Sequence, residues 1–129
     1  MTGKLARMPA NVLALRGATT FDLDESAHVT TRVVELIEEM LSRNGIEHDD
    51  LISILFTATD DLTCMFPATA ARTLGLGDVP LICARELSIE GAMPMCIRIL
   101  LHMNTDLSRS DLRHVYLHRA NSLRDDLPA

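Results

Sequence analysis

Tryptophan is absent from the 129 residues, tyrosine occurs once and phenylalanine three times. With 7 methionines and a hydrophobic fraction of 47%, the core is expected to be aliphatic and methionine-rich. Lysine is nearly missing as well: Lys4 stands alone against eleven arginines. A genomic bias toward arginine explains most of that imbalance. It matters chemically only where particular guanidiniums meet as a clamp for an anion. A net charge of -6 excludes a generic nucleic-acid binder, which needs a basic face. No apolar run approaches the roughly 18 residues of a membrane span, so no membrane partner is expected. The apolar stretch after Lys4 and Arg7 is too brief for the h-region of a signal peptide. Cys64, Cys83 and Cys96 form no CxxC pair, and an odd count without a secretion signal points to reduced thiols and a cytoplasmic location. Dinucleotide, Walker and nucleophile-elbow glycine motifs are missing, which removes nucleotide-binding and α/β-hydrolase readings.

What is present fits one domain over 1–129, with 1–10 as a flexible leader and 120–129 as a tail without clear periodicity. Val12 to Gly17 alternates as a strand that ends on Arg16, with Gly17 permitting a turn. A helix is predicted from a cap at Asp22 or Asp24 to about Asn44, with Val33, Ile37, Met40 and Leu41 as its apolar stripe and Gly45 beyond its end. Leu51 to Thr59, Val79 to Arg85, Cys96 to Asn104 and Arg113 to Arg119 read as strands, and Pro67 opens a short helix ending at Gly75. A helix is the rival reading of Cys96 to Asn104. Strands with few helical crossovers give an α+β fold: a mixed sheet packed on one face by one long helix, with a second subunit to cover the other face.

The chemistry-bearing residues are mostly weak signals. His114 and His118 are four apart but lack a third ligand, so no metal site is expected. Cys83 and Cys96, with His114 as base, make a poor case for a thiol enzyme, because no local signature surrounds either cysteine. The pairs Asp60–Asp61 and Asp125–Asp126 fall where strands stop and suit turns better than acid–base work. Glu86 differs: it lies just past a predicted strand end, where functional groups collect. Among the arginines, Arg98 sits mid-strand on a mainly polar face flanked by apolar residues, a costly place unless paired or bound to an anion. Arg16, Arg72 and Arg124 could join it at a small polyanion, although spacing alone cannot bring them together.

The order of the pieces carries more than any one of them. The chain shows Arg16-Gly17-Ala18-Thr19-Thr20, then Ala58-Thr59 and Asp61-Leu62, then Phe66-Pro67-Ala68, Ala70 and Arg72. Val79-Pro80, Cys83 and Glu86 follow, then Cys96-Ile97-Arg98, Arg113 through Leu117, and finally Leu123-Arg124, Asp126 and Leu127. In this order the sequence resembles the small monofunctional chorismate mutases of the Bacillus type, from about Val12 to Leu127.

That resemblance implies a homotrimer built as a pseudo-α/β barrel, with active sites in clefts between subunits. It implies the Claisen rearrangement of chorismate to prephenate in aromatic amino-acid biosynthesis, with no cofactor, no metal and no covalent intermediate. It assigns Arg98 to the ether oxygen of the breaking bond and Glu86, with Cys83 beside it, to the substrate hydroxyl. Arg16 becomes a carboxylate clamp and Tyr116 a further donor. Phe66, Ala68, Arg72, Leu123 and Arg124 become the wall and lid supplied by a neighbouring subunit or the tail. Thr69, where relatives carry Lys, and Ile82, where they carry a small hydroxyl residue, depart from the pattern. Two alternatives keep the architecture: a non-catalytic trimeric binder of small anionic metabolites, and an imine deaminase.

Overall fold

The computed structural model describes the chain over residues 11–126, with side chains as far as Leu123. The expected leader at 1–10, the end of the tail and the Arg124 side chain lie outside the described residues. Within that range, five strands form one mixed sheet in the order β3-β2-β4-β1-β5. They are β1 (Asn11–Thr20), β2 (Leu51–Ala58), β3 (Leu81–Arg85), β4 (Cys96–Thr105) and β5 (Val115–Tyr116). The α+β expectation therefore holds, with helix α1 (Ser26–Arg43) and the short helix α2 (Pro67–Arg72).

Alternation decides the two faces. Along β4, Ile97, Ile99, Leu101 and Met103 are buried while Arg98 between them is exposed. β4 is thus the strand it was predicted to be, and the rival helix is excluded. Its antiparallel partners continue the apolar face through Leu15 of β1 and through Ile54 and Phe56 of β2. Helix α1 covers this face with Val29, Val33, Leu36, Ile37 and Met40, all fully buried.

Several boundaries differ from expectation, each for a local reason. β1 does not stop at Gly17 but runs on to Thr20. Gly17 serves packing instead: a Cβ there would lie 2.3 Å from Met40 Sδ, so the missing side chain lets α1 approach the sheet. The cap of α1 is Glu25, whose carboxylate accepts from the Ala27 and His28 amides at 3.0 Å. Asp24 is occupied elsewhere, by the Thr63 and Cys64 amides. The helix closes with Ile46 N–H donating to Leu41 O at 2.9 Å over a left-handed Gly45 at φ +61. β3 begins after Pro80, which has no N–H for the ladder, and Pro80 O accepts from Ile54 N–H at 2.9 Å. A register shift between Leu51 and Ser53 lifts Ile52 out of the core face. β5 is only two residues long, and from His118 to Asp126 the backbone winds as a 3₁₀ helix that buries Ala120.

Candidate active site

The sheet face away from α1 gathers the functional side chains, and strand register explains how. Arg98 on β4 is paired with Ala18 on β1 and with Thr57 on β2. Ala18 is in turn paired with Tyr116 on β5. Paired residues project to the same face, so Thr57, Arg98, Ala18 and Tyr116 form one row across four strands. The next row holds Leu55, Leu100 and Arg16. Ala18, small and buried, leaves a floor between Arg98 and Tyr116.

Glu86 enters from the end of β3. Its N–H donates to Ala58 O at 2.9 Å, which holds the first loop residue against β2. Its carboxylate oxygen Oε2 accepts from Thr57 Oγ1 at 2.5 Å and meets Arg98 Nε at 3.1 Å. These side chains line a cleft of about 280 Å³, to which Leu123 of the 3₁₀ tail also contributes. The cleft therefore brings together Arg16, Glu86, Arg98, Tyr116 and Leu123 from the residues expected at the site. Thr57 is an addition that sequence reasoning missed. Its position on the same face as Arg98 was available from alternation, but a hydroxyl on a strand carries no signal until its partner is known.

Other expected residues lie elsewhere in the subunit. Cys83 was expected beside Glu86, but it is paired with Phe56 and its side chain packs against the core on the α1 face. Phe66, 71% exposed, and Cys83 border a separate depression of about 630 Å³ along the β3 edge. Ala68 is buried in the core, and Arg72 lies exposed in the last turn of α2. The thiol of Cys96, paired with Thr20 at the start of β4, is pushed up chiefly by burial, as is that of Cys64, which makes both poor nucleophiles.

Two guanidiniums, one carboxylate and one phenol face a largely aliphatic cleft, so the local charge is positive although the chain is acidic. The molecule is thus a small α+β protein with a positively charged cleft on the open face of its sheet. Comparison with known proteins makes the class specific. The family described as chorismate mutase type I matches residues 12–127. A chorismate mutase of Thermus thermophilus is 46% identical over 119 residues, covering 90% of this chain and 96% of the relative. A chorismate mutase of Bacillus subtilis (strain 168) is 35% identical over 117 residues, covering 90% and 92%. A solved chorismate mutase from Clostridium thermocellum superposes with a TM-score of 0.84 at 42% identity, covering 85% of this chain and 98% of that one. The chain belongs to the type I chorismate mutase family and is an isomerase. Among the described residues no helix is long and apolar enough to cross a membrane.

Proposed function

We propose that the cleft converts chorismate to prephenate, with Arg98 as the principal electrostatic catalyst. The rearrangement is intramolecular. The ether C–O bond breaks as a new C–C bond forms, and the electrons move within one molecule with no net proton, hydride or group transfer. The catalytic task is therefore to select the compact reactive conformer and to stabilise the negative charge that grows on the ether oxygen. A rate enhancement of about 10⁶ corresponds to roughly 8 kcal/mol, and one well-placed charged donor supplies roughly 3–4 kcal/mol of that.

The observation that carries this reading is the Arg98–Glu86 contact at 3.1 Å, which sets a fixed donor beside a fixed acceptor in the same cleft. Arg98 serves the ether oxygen and Glu86 the substrate hydroxyl. Arg16 and Tyr116 hold a carboxylate, and Leu123 with the tail around Arg124 covers the bound substrate. A binder alone would not need the donor–acceptor pair, and an imine deaminase would need a proton route that this reading does not use. Mixing the protein with chorismate and following the loss of its absorbance tests the proposal. Conversion to prephenate supports it, and no loss above the uncatalysed rate overturns it.

We further propose a cytoplasmic homotrimer whose sites are shared. Supporting this, Phe66, Ile82, Leu87 and Ile89 are exposed apolar residues on or beside the β3 edge, where the second depression lies. A neighbour's Phe66 and Arg72 would complete the wall of each cleft. Cys83 would contribute through the backbone of the edge strand rather than through its thiol. Sedimentation should give three subunits, and an active monomer would overturn the shared site.

A further inference from the structure

Arg16 lies where the β1–β5 ladder runs out. The parallel register pairs Gly17 with Val115 and Ala18 with Tyr116, and β5 goes no further. At Arg16 the next bond is made by a side chain: Arg16 N–H donates to Nδ1 of His114 at 2.9 Å. The imidazole thus extends the ladder by one step. Its own seat is fixed from both sides. Asn44 at the end of α1 accepts from Arg113 N–H at 2.8 Å and donates to Arg113 O at 2.9 Å. Beyond β5, Leu117 N–H donates to Ala18 O at 2.9 Å.

A ring nitrogen that accepts an N–H bond must carry a lone pair, so His114 is neutral and its proton sits on Nε2. That arrangement removes His114 as a general base, because the only lone pair of the neutral ring is already engaged. Burial pushes its pKa below the ordinary histidine value, and the Arg16 charge adds to the effect. The charged groups on the elements around it include Arg16 on β1, Arg32, Glu38 and Arg43 on α1, Asp111 and Arg113 on its own segment, and His118 and Arg119 in the tail. The α1 carboxylates Glu35 and Glu39 are engaged by His118 at 2.7 Å and Arg43 at 2.6 Å. Protonation of His114 would break the bond to β1 and place a second positive charge beside Arg16.

We propose that His114 is a positioning residue for this reaction: its neutral imidazole fixes the β1 backbone at Arg16 and so aims the Arg16 guanidinium at the substrate carboxylate. The proposal rests on the role given to Arg16 above. It also accounts for an active-site strand as short as β5, since a side chain does the work of a further backbone pair.

The test compares His114→Asn, whose side-chain oxygen can accept the same N–H, with His114→Leu, which fills space without an acceptor. His114→Leu is expected to raise KM for chorismate roughly tenfold with a smaller change in kcat, as for loss of one aligning hydrogen bond at a binding group. His114→Asn should recover most of that loss. The wild type should lose kcat/KM on acidification with a midpoint below about 6.5, and His114→Asn should lack that limb. A wild-type KM in the leucine variant overturns the proposal. So does an asparagine variant as impaired as leucine, or one that keeps the acid limb. If the leucine variant fails to fold by circular dichroism, the acid limb of the asparagine variant decides alone. Absence of chorismate turnover in the wild type would refute the functional reading instead. The Arg16 amide nitrogen resonance then reports separately: it should follow the titration of His114 in the wild type, and an unmoved resonance overturns the contact.

Discussion

Thr57 Oγ1 lies 2.5 Å from Glu86 Oε2, so a hydroxyl near the end of β2 donates directly to the loop carboxylate that Arg98 also contacts. The acid is therefore oriented from two sides before any substrate arrives. Thr57→Val keeps the β-branched shape and removes the donor. A hydrogen bond to a charged group is worth about 1.5–3 kcal/mol, so kcat/KM should fall roughly tenfold to a hundredfold. Thr57→Ser keeps the hydroxyl and should recover most of it. Chorismate absorbance assays on the three proteins check this, and a fully active valine variant would show that Arg98 alone orients Glu86.

Gly17→Ala should destabilise the protein from the core side of the sheet. The added Cβ would meet Met40 Sδ at 2.3 Å, Met40 Cε at 3.0 Å and Leu36 Cδ1 at 3.2 Å. Both side chains are fully buried, so the sulfur has little room to retreat. Overpacking of this kind costs about 1–3 kcal/mol. Combining it with Met40→Ala opens space at the same point, so the double variant should lose less than the sum of the single losses. Urea denaturation of the four proteins measures that coupling.

Acid should loosen the junction between the start of α1 and the loop after β2. Asp24 Oδ1 accepts from the Thr63 and Cys64 amides at 3.0 Å, and Oδ2 takes the Thr63 hydroxyl. These bonds, the Thr63 hydroxyl first, hold its pKa down from 3.8 to about 2. A depressed carboxylate stabilises the fold above its unfolded pKa. That contribution is lost as pH falls from 3.8 through about 2. Thermal melting followed by circular dichroism should show Tm falling across this window in the wild type and falling less in Asp24→Asn. Equal slopes would mean the Thr63–Asp24 contacts do not stabilise the folded state.

The long elements were legible because burial imposes a period on them. Ile97 to Met103 on β4 and Val33 to Met40 on α1 each repeat at the spacing of their element. Arg98 stood out as a charge within such a pattern. The short pieces were not legible, since two residues of β5 offer no period and a 3₁₀ tail repeats differently from either helix or strand. The cap at Glu25 was hidden because Asp24 looks equally suitable until Thr63 and Cys64 claim it. Cys83 was placed beside Glu86 by the family resemblance. Its pairing with Phe56 puts it on the core side, a fact that depends on strand register. Family resemblance supplied the grouping of Arg16, Glu86, Arg98 and Tyr116, which lie on four separate segments of the fold.

Replacing Arg98 should separate catalysis from binding. Arg98→Ala removes the donor proposed for the ether oxygen, and kcat should drop by at least roughly 10²–10³, the usual loss for one transition-state donor. Arg98→Lys keeps the charge but replaces a planar fork by a mobile ammonium, so only part of the rate should return. Neither change should unfold the protein. The Arg98 side chain is 47% exposed on the open face, and the buried residues on either side of it are untouched. Removing Arg98 also leaves Glu86 with the Thr57 hydroxyl, so the carboxylate keeps one partner. The split between constants is what decides the role. An interaction made only in the transition state lowers kcat and kcat/KM together, whereas a ground-state carboxylate contact shows mainly in KM. A loss confined to KM would move Arg98 from the ether oxygen to a carboxylate. A fall in Tm with unchanged kinetics would leave it as a structural partner of Glu86 alone.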